Sequence, residues 1–159
     1  ILKSYDAGLN WKESGTGFDQ INGLEYNNGV WFATGNDGES FRATSIAQSD
    51  TTDTWTAVTG ISEDMWAIAH ITGNTWMAGN KGDQPYLSTD NCASWTTTGV
   101  ASIPGGGQIM GLASDGTTIV CGDKDKKLHT STDLGATWTL RHTSAEQILV
   151  LEYNKVKPF

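Results

Sequence analysis

Apolar residues in this chain come in short runs that stop every few residues at glycine, asparagine or aspartate. Three pairs of runs stand out. They are Ile21 to Tyr26 with Val30 to Ala33, Met65 to His70 with Trp76 to Ala78, and Ile109 to Ala113 with Ile119 to Cys121. Each run has the length of a strand and is too short for a stable helix. Between the partners lie Asn27-Asn28-Gly29, Gly73-Asn74 and Asp115-Gly116, residue types that tolerate the positive φ of tight hairpin turns. The pattern predicts three β-hairpins, whose strands are called A and B.

The hairpins belong to a longer repeat. Four segments align on a terminal tryptophan: Ser4 to Trp11, Gln48 to Trp55, Ser88 to Trp95 and Ser131 to Trp138. The tryptophans stand forty-odd residues apart, and an aspartate (Asp6, Asp50, Asp90, Asp133) precedes each by five. A strand C is predicted before the aspartate, as in Tyr86 to Ser88 and Leu128 to Ser131. A strand D starts at the tryptophan, as in Trp55 to Val58 and Trp138 to Leu140. Four antiparallel strands at this period form the blade of a β-propeller, so the fold class expected is all-β.

The segment Ser131, Asp133, Gly135, Thr137, Trp138 resembles the whole consensus of the Asp box, or bacterial neuraminidase repeat. That motif occurs in sialidase-like, photosystem II assembly-factor-like and phage or bacterial surface propellers. The resemblance implies that Asp6, Trp11, Asp50, Trp55, Asp90, Trp95, Asp133, Gly135 and Trp138 are structural. They would build the turns between strands C and D, away from the ligand face. The chemistry agrees, because a carboxylate can accept N–H bonds within its own turn while glycine supplies a left-handed backbone.

The ends of the chain complete the count. Residues 1–4 read as a strand C without A or B, whereas 147–153 read as a strand A and 156–159 as a short strand B. One domain over 1–159 is expected, with repeats at about 15–58, 59–98 and 99–141. A fourth blade is expected from 142–159 joined to 1–14, closing a four-bladed ring and hiding two strand edges. The alternatives are that the chain is a fragment of a longer propeller or that copies associate through their terminal strands.

Composition narrows the function. A net charge of −8 and only two arginines, Arg42 and Arg141, disfavour a nucleic-acid surface. No apolar run of about 18 residues is present, so membrane insertion is not expected. Cys92 and Cys121 match no zinc spacing, and whether they pair is open. His70, His129 and His142 fall at different repeat positions and read as surface or strand histidines, so neither metal nor cofactor is expected.

A ligand is expected on the face carrying the D–A connections. Gln20, Asp64, Gln108 and Gln147 begin strand A in their repeats, and Asp19, Glu63 and Glu146 lie beside them, so these seven are the candidate binding residues at a channel mouth. Sialidases resembling these repeats clamp the substrate carboxylate with three arginines, a number this chain does not contain. Another glycoside hydrolase would need a carboxylate pair, for which Asp19, Glu63, Asp64 and Glu146 are candidates. The reading that fits best is a non-enzymatic module binding glycan or protein on an extracellular or virion surface. A protein-complex assembly factor is the further alternative.

Overall fold

The computed structural model describes residues 1–15, 17–46 and 53–153. Thirteen strands form four antiparallel sheets among these residues. Blade 1 consists of β3 (Ile21–Asn27), β4 (Val30–Gly35), β5 (Ser40–Ala43) and β6 (Thr56–Ala57). Blade 2 consists of β7 (Met65–Thr72), β8 (Thr75–Asn80) and β9 (Tyr86–Ser88). Its expected strand D shrinks to a single bridge between Leu87 and Thr96. Blade 3 consists of β10 (Ile109–Ser114), β11 (Ile119–Asp123), β12 (Lys127–Ser131) and β13 (Thr139–Thr143). The N-terminal sheet pairs β1 (Leu2–Lys3) with β2 (Lys12–Glu13), placing them as a C–D pair.

The three blades share one irregularity. The A–B register shifts between Ile21 and Gly23, between Met65 and Ala67, and between Ile109 and Gly111, so each strand A carries a β-bulge at the same place. A bulge adds twist, and the next position is small in every copy (Gly23, Ala67, Gly111). The repeat is therefore structural down to single residues.

Blades meet through apolar layers. Phe32, Met65, Trp76 and Trp95 are buried in one cluster between blades 1 and 2, and Met77, Ile109, Leu112 and Trp138 in another between blades 2 and 3. Each fully buried side chain of this size contributes about 1.5–3 kcal/mol. The second contact needs a glycine: a methyl group added at Gly79 would collide with Ile109 Cγ2. Gly122 holds the same place in blade 3, paired with Gly111 as Gly79 is with Ala67, and there the colliding residue is Ile148. Leu151 likewise lies beside Gly111, whose added Cβ would stand 3.1 Å from Leu151 N. The C-terminal segment thus docks on blade 3 as the start of a blade docks on its predecessor.

Residues 147–153 nonetheless form no strand, contrary to the sequence expectation. The segment is held by side chains against Gly111 and Gly122 and has no ladder to a described strand. Its expected partner, 156–159, lies outside the described residues, as does Asp50.

A buried ion pair ties the N-terminal sheet to blade 1. Lys3 Nζ lies 2.7 Å from Asp53 Oδ2, both side chains almost fully buried, and Ser14 Oγ donates to the same carboxylate oxygen at 2.5 Å. Trp55 Nε1 donates to Ser14 Oγ at 3.2 Å. Burial alone would lower the Lys3 pKa, but Asp53 and Tyr5 together outweigh it and hold the ammonium above its ordinary value.

Candidate functional site

The innermost strands converge on a cavity of about 830 Å³. Four stretches line it: Leu24–Asn27, Ile68–His70, Leu112–Ser114 and Leu151–Tyr153. The ladders show that the first three are equivalent, since Leu24, Ile68 and Leu112 face Ala33, Ala78 and Cys121 at corresponding places of strand B. Leu151 continues the series. One ring of the wall is therefore Leu24, Ile68, Leu112, Leu151, the next Glu25, Ala69, Ala113, Glu152, and the outermost Tyr26, His70, Ser114, Tyr153.

These positions lie toward the end of strand A, close to the A–B turns. That end is cross-braced. Asn28 Nδ2 donates to Gly73 O at 2.8 Å and to Asn74 Oδ1 at 3.0 Å, joining the A–B turns of blades 1 and 2. Trp76 Nε1 donates to Asn91 Oδ1 at 3.0 Å, and Arg42 Nε donates to Asn91 O at 2.8 Å. His70 Nε2 donates to Gly73 O at 2.9 Å, which places a hydrogen on Nε2, and its ring meets Trp76 edge-on at 4.8 Å. Tyr26, 55% exposed, is backed by Trp31 with ring centroids 4.8 Å apart.

The inner edge of a blade carries backbone groups without a neighbouring strand. Glu25 meets one of them: both of its carboxylate oxygens accept from His70 N at 3.2 Å. Among the described residues the wall holds two carboxylates, two tyrosines and one histidine, and neither lysine nor arginine.

None of the seven residues expected at the channel mouth lines this cavity. They gather at the other end of strand A, where several make contacts within and between blades. Asp37 N donates to Asp64 Oδ1 at 2.8 Å, and Lys81 Nζ lies 3.6 Å from Asp64 Oδ2. Asn80 Nδ2 donates to Glu63 Oε2 at 2.9 Å, Asn36 Nδ2 to Gln20 Oε1 at 3.0 Å, and Asp19 N to Glu39 Oε2 at 3.1 Å. Gln108 is held through its carbonyl by Lys124 N at 2.9 Å, and Glu146 through its N–H by Ser144 Oγ at 3.2 Å. Gln147 is exposed beside Ile148.

Three of the Asp-containing turns are described in full, and each satisfies itself. In the third repeat Ser131 Oγ donates to Asp133 Oδ1 at 2.8 Å, Gly135 N donates to Ser131 Oγ at 2.8 Å, and Thr137 N and Oγ1 donate to the two Asp133 oxygens at 2.9 and 2.6 Å. Ser88, Asp90 and Ser94 repeat the set, as do Ser4, Asp6 and Asn10. Two residues in each turn have positive φ: Ala7 and Gly8, Asn91 and Cys92, Leu134 and Gly135. Donors from Asn10 and Thr137 hold Asp6 and Asp133 below the ordinary carboxylate value. Burial pushes Asp90 up, but bonds from Ser94, Ser88 and Ala93 outweigh it and the net shift is also downward.

Three further titratable side chains are fully buried, His129 among them within the strand β12. His129 is fully buried opposite Cys121, its Nδ1 3.9 Å from Asp123 Oδ2, and burial lowers its pKa. Both cysteines are free and buried, which pushes their thiol pKa values up. Among the described residues no group of three or more His, Cys, Asp or Glu is arranged to hold a metal ion.

No family model matches the sequence, and no curated protein matches it. Solved structures do resemble the fold. The chain is similar to the computationally designed Ika4 protein, with a TM-score of 0.67 and 14% identity over 89% of this chain and 84% of that one. It is similar to YCF48 bound to D1 peptide, with a TM-score of 0.63 and 15% identity over 76% of this chain and 40% of that one. It is similar to the GH74 enzyme of Niastella koreensis, with a TM-score of 0.61 and 22% identity over 80% of this chain and 18% of that one. The chain thus spans well under two thirds of the last two. Together with the repeated antiparallel sheets, these likenesses support a β-propeller fold.

Proposed function

We propose that the chain is a non-enzymatic binding module whose four repeats close a ring of four blades, the fourth built from both chain ends. Each complete Asp-containing turn has the internal bonds that suit an Asp box, a part of the framework and not of the site. The ligand is a segment of a partner protein, taken at the cavity near the A–B turns. One observation carries this reading: all four repeats contribute equivalent positions to a single cavity of about 830 Å³, a size suited to a few residues of an extended segment. A structural neighbour, YCF48, is bound to a peptide, which favours a protein ligand over others. The acidic surface, rich in Ser, Thr, Asn and Gly, suits display outside a cell or on a virion.

A glycan is the second reading, favoured by the exposed rings of Tyr26 and Tyr153 beside carboxylates on the wall. Selection of a displayed random-peptide library on the immobilised chain, run beside a glycan array, separates the two. The expected result is retention of peptides that Tyr26→Ala no longer binds. Retention of sugars alone overturns the protein reading, and indifference to Tyr26→Ala removes the cavity from it.

A further inference from the structure

We infer that His129 is an acid-operated latch on the seam between blades 2 and 3. Neutral and buried, it keeps the connection 99–106 closed over blade 3, and taking up a proton opens that connection.

The residue departs from the repeat. Phe41, Tyr86 and His129 hold one place in strand C, since the ladders set them against Ala33, Ala78 and Cys121. Blades 1 and 2 fill that place with an aromatic ring that stays uncharged in mild acid, and Tyr86 is buried. Blade 3 fills it with an imidazole that is 0% exposed, and neither ring nitrogen makes a well-formed hydrogen bond among the described residues. Aromatic packing is thus enough for the fold here. A group that titrates near neutral pH is an addition to it.

The surroundings decide what a proton does. From β11, Asp123 and Cys121 face the ring. Asp123 Oδ2 is 3.9 Å from Nδ1, buried and without a hydrogen-bond partner among the described residues, while Asp123 Oδ1 accepts from Lys127 N at 2.8 Å. Cys121 is a neutral thiol, because burial pushes its pKa up. Leu140 of β13 stands opposite, Lys127 lies two residues earlier on β12, and the connection brings the Pro104 carbonyl near. From blade 2, Met77, in one apolar cluster with Cys121, adds no charge. Burial opposes the charged ring most strongly, Asp123 and the Pro104 carbonyl favour it, Lys127 opposes it, and the net effect is a lowered pKa. The carboxylate at 3.9 Å does not offset the loss of water.

The sheet and the connection are held differently. Ladders bind β12 to both β11 and β13. The connection is held by Ala101 N on Gly135 O at 2.8 Å, Ile103 N on Asp83 O at 2.7 Å, Gly106 N on Ile103 O at 3.0 Å, and Lys127 Nζ on Gly105 O. Opening it is the smaller rearrangement that lets water reach the ring. It also parts Trp138 Nε1 from Ala101 O, so the seam loosens with it.

Because the ring's pKa is lowered in the closed form, the open form binds more protons. Closure is complete above the ordinary histidine value of about 6.5 and weakens as pH falls below it, by up to about tenfold per pH unit. This step lies well above the range in which carboxylates titrate.

Amide exchange followed by NMR on the intact chain between pH 7.5 and 5.5, corrected for the intrinsic effect of pH, tests the latch. Protection at Ala101, Ile103 and Gly106 should fall about tenfold across that range. Gly35 and Val58, bonded within blade 1 to Glu39 O and Ser40 O, should keep theirs. The carbon shifts of the His129 imidazole should report a neutral ring at about pH 6, where an ordinary histidine is mostly charged. His129→Tyr and His129→Phe, which copy Tyr86 and Phe41, should abolish the pH effect, whereas His142→Gln should leave it. Constant protection at the three amides, an equal fall in blade 1, a charged ring at that pH, or a pH effect that survives in either aromatic variant overturns the inference. The wild-type measurements decide it even where a variant does not fold.

Discussion

The seam between blades 2 and 3 and the seam at the chain ends use the same motif with different results. Trp138 and Trp11 occupy the same place after nearly identical Asp-containing turns. Trp138 is 8% exposed, lies in one buried cluster with Met77, and donates from Nε1 to Ala101 O at 3.2 Å. Trp11 is 59% exposed and donates from Nε1 to Gly8 O of its own turn at 2.9 Å. Trp95 follows Trp138: it is 7% exposed and packs on Phe32 of the preceding blade at 5.0 Å between ring centroids. The turn is therefore autonomous, formed by local hydrogen bonds wherever its residues occur. The stabilisation that its tryptophan brings comes from the neighbouring blade.

The largest effect should come from the interior seam. Trp138→Ala is expected to cost about 3–5 kcal/mol, read as a lowered urea midpoint with unchanged slope. Next is the tie between the N-terminal sheet and blade 1. Lys3→Met removes the ammonium that faces the buried Asp53 carboxylate and should lower Tm, whereas adding Asp53→Asn should recover part of the loss. Recovery absent from the double variant would show that Lys3 acts through packing alone.

Acid should act on the three described turns together. Asp6, Asp90 and Asp133 have lowered pKa values, so their contribution is complete above the ordinary carboxylate value and lost as pH falls through the folded values. Stability should thus decline below about pH 4, and Asp133→Asn should flatten that decline in acid unfolding curves. The smallest effect is expected at the terminal seam. Trp11→Ala should change stability by no more than about 0.5 kcal/mol. A loss matching Trp138→Ala would mean that Trp11 is packed in solution, and the contrast between the seams would disappear.

Much of the fold was legible in the residues because both of its codes are local. Hairpins are set by short apolar runs around Asn-Gly, Gly-Asn and Asp-Gly turns, and β3, β4, β7, β10 and β11 start where those runs start, with β8 one residue earlier. The Ser-x-Asp turns fold on their own atoms, so their sequence suffices. What escaped depends on long-range packing. The D strand of blade 2 shrinks to one bridge, and 147–153 dock without a ladder, neither of which a run of apolar residues reveals. His129 shows the same limit, since nothing in its sequence neighbours announces full burial.

The candidate site was legible only in outline. Equivalent positions of strand A line the cavity, but the residues expected at a channel mouth sit at the start of the strand and the cavity lies near its end. The signal for the second position was present in the repeat: Glu25-Tyr26 and Glu152-Tyr153 recur as a pair where the middle copies do not keep it.

The account turns on residues 148–153 completing the ring of repeats within one molecule. An isotope-filtered NOE spectrum of an equal mixture of labelled and unlabelled chains tests this directly. The prediction is close contact between Leu151 and Gly111 and between Ile148 and Gly122 inside the labelled molecule, with none across molecules. Contacts that appear only between labelled and unlabelled chains, or no contact at all, would contradict it.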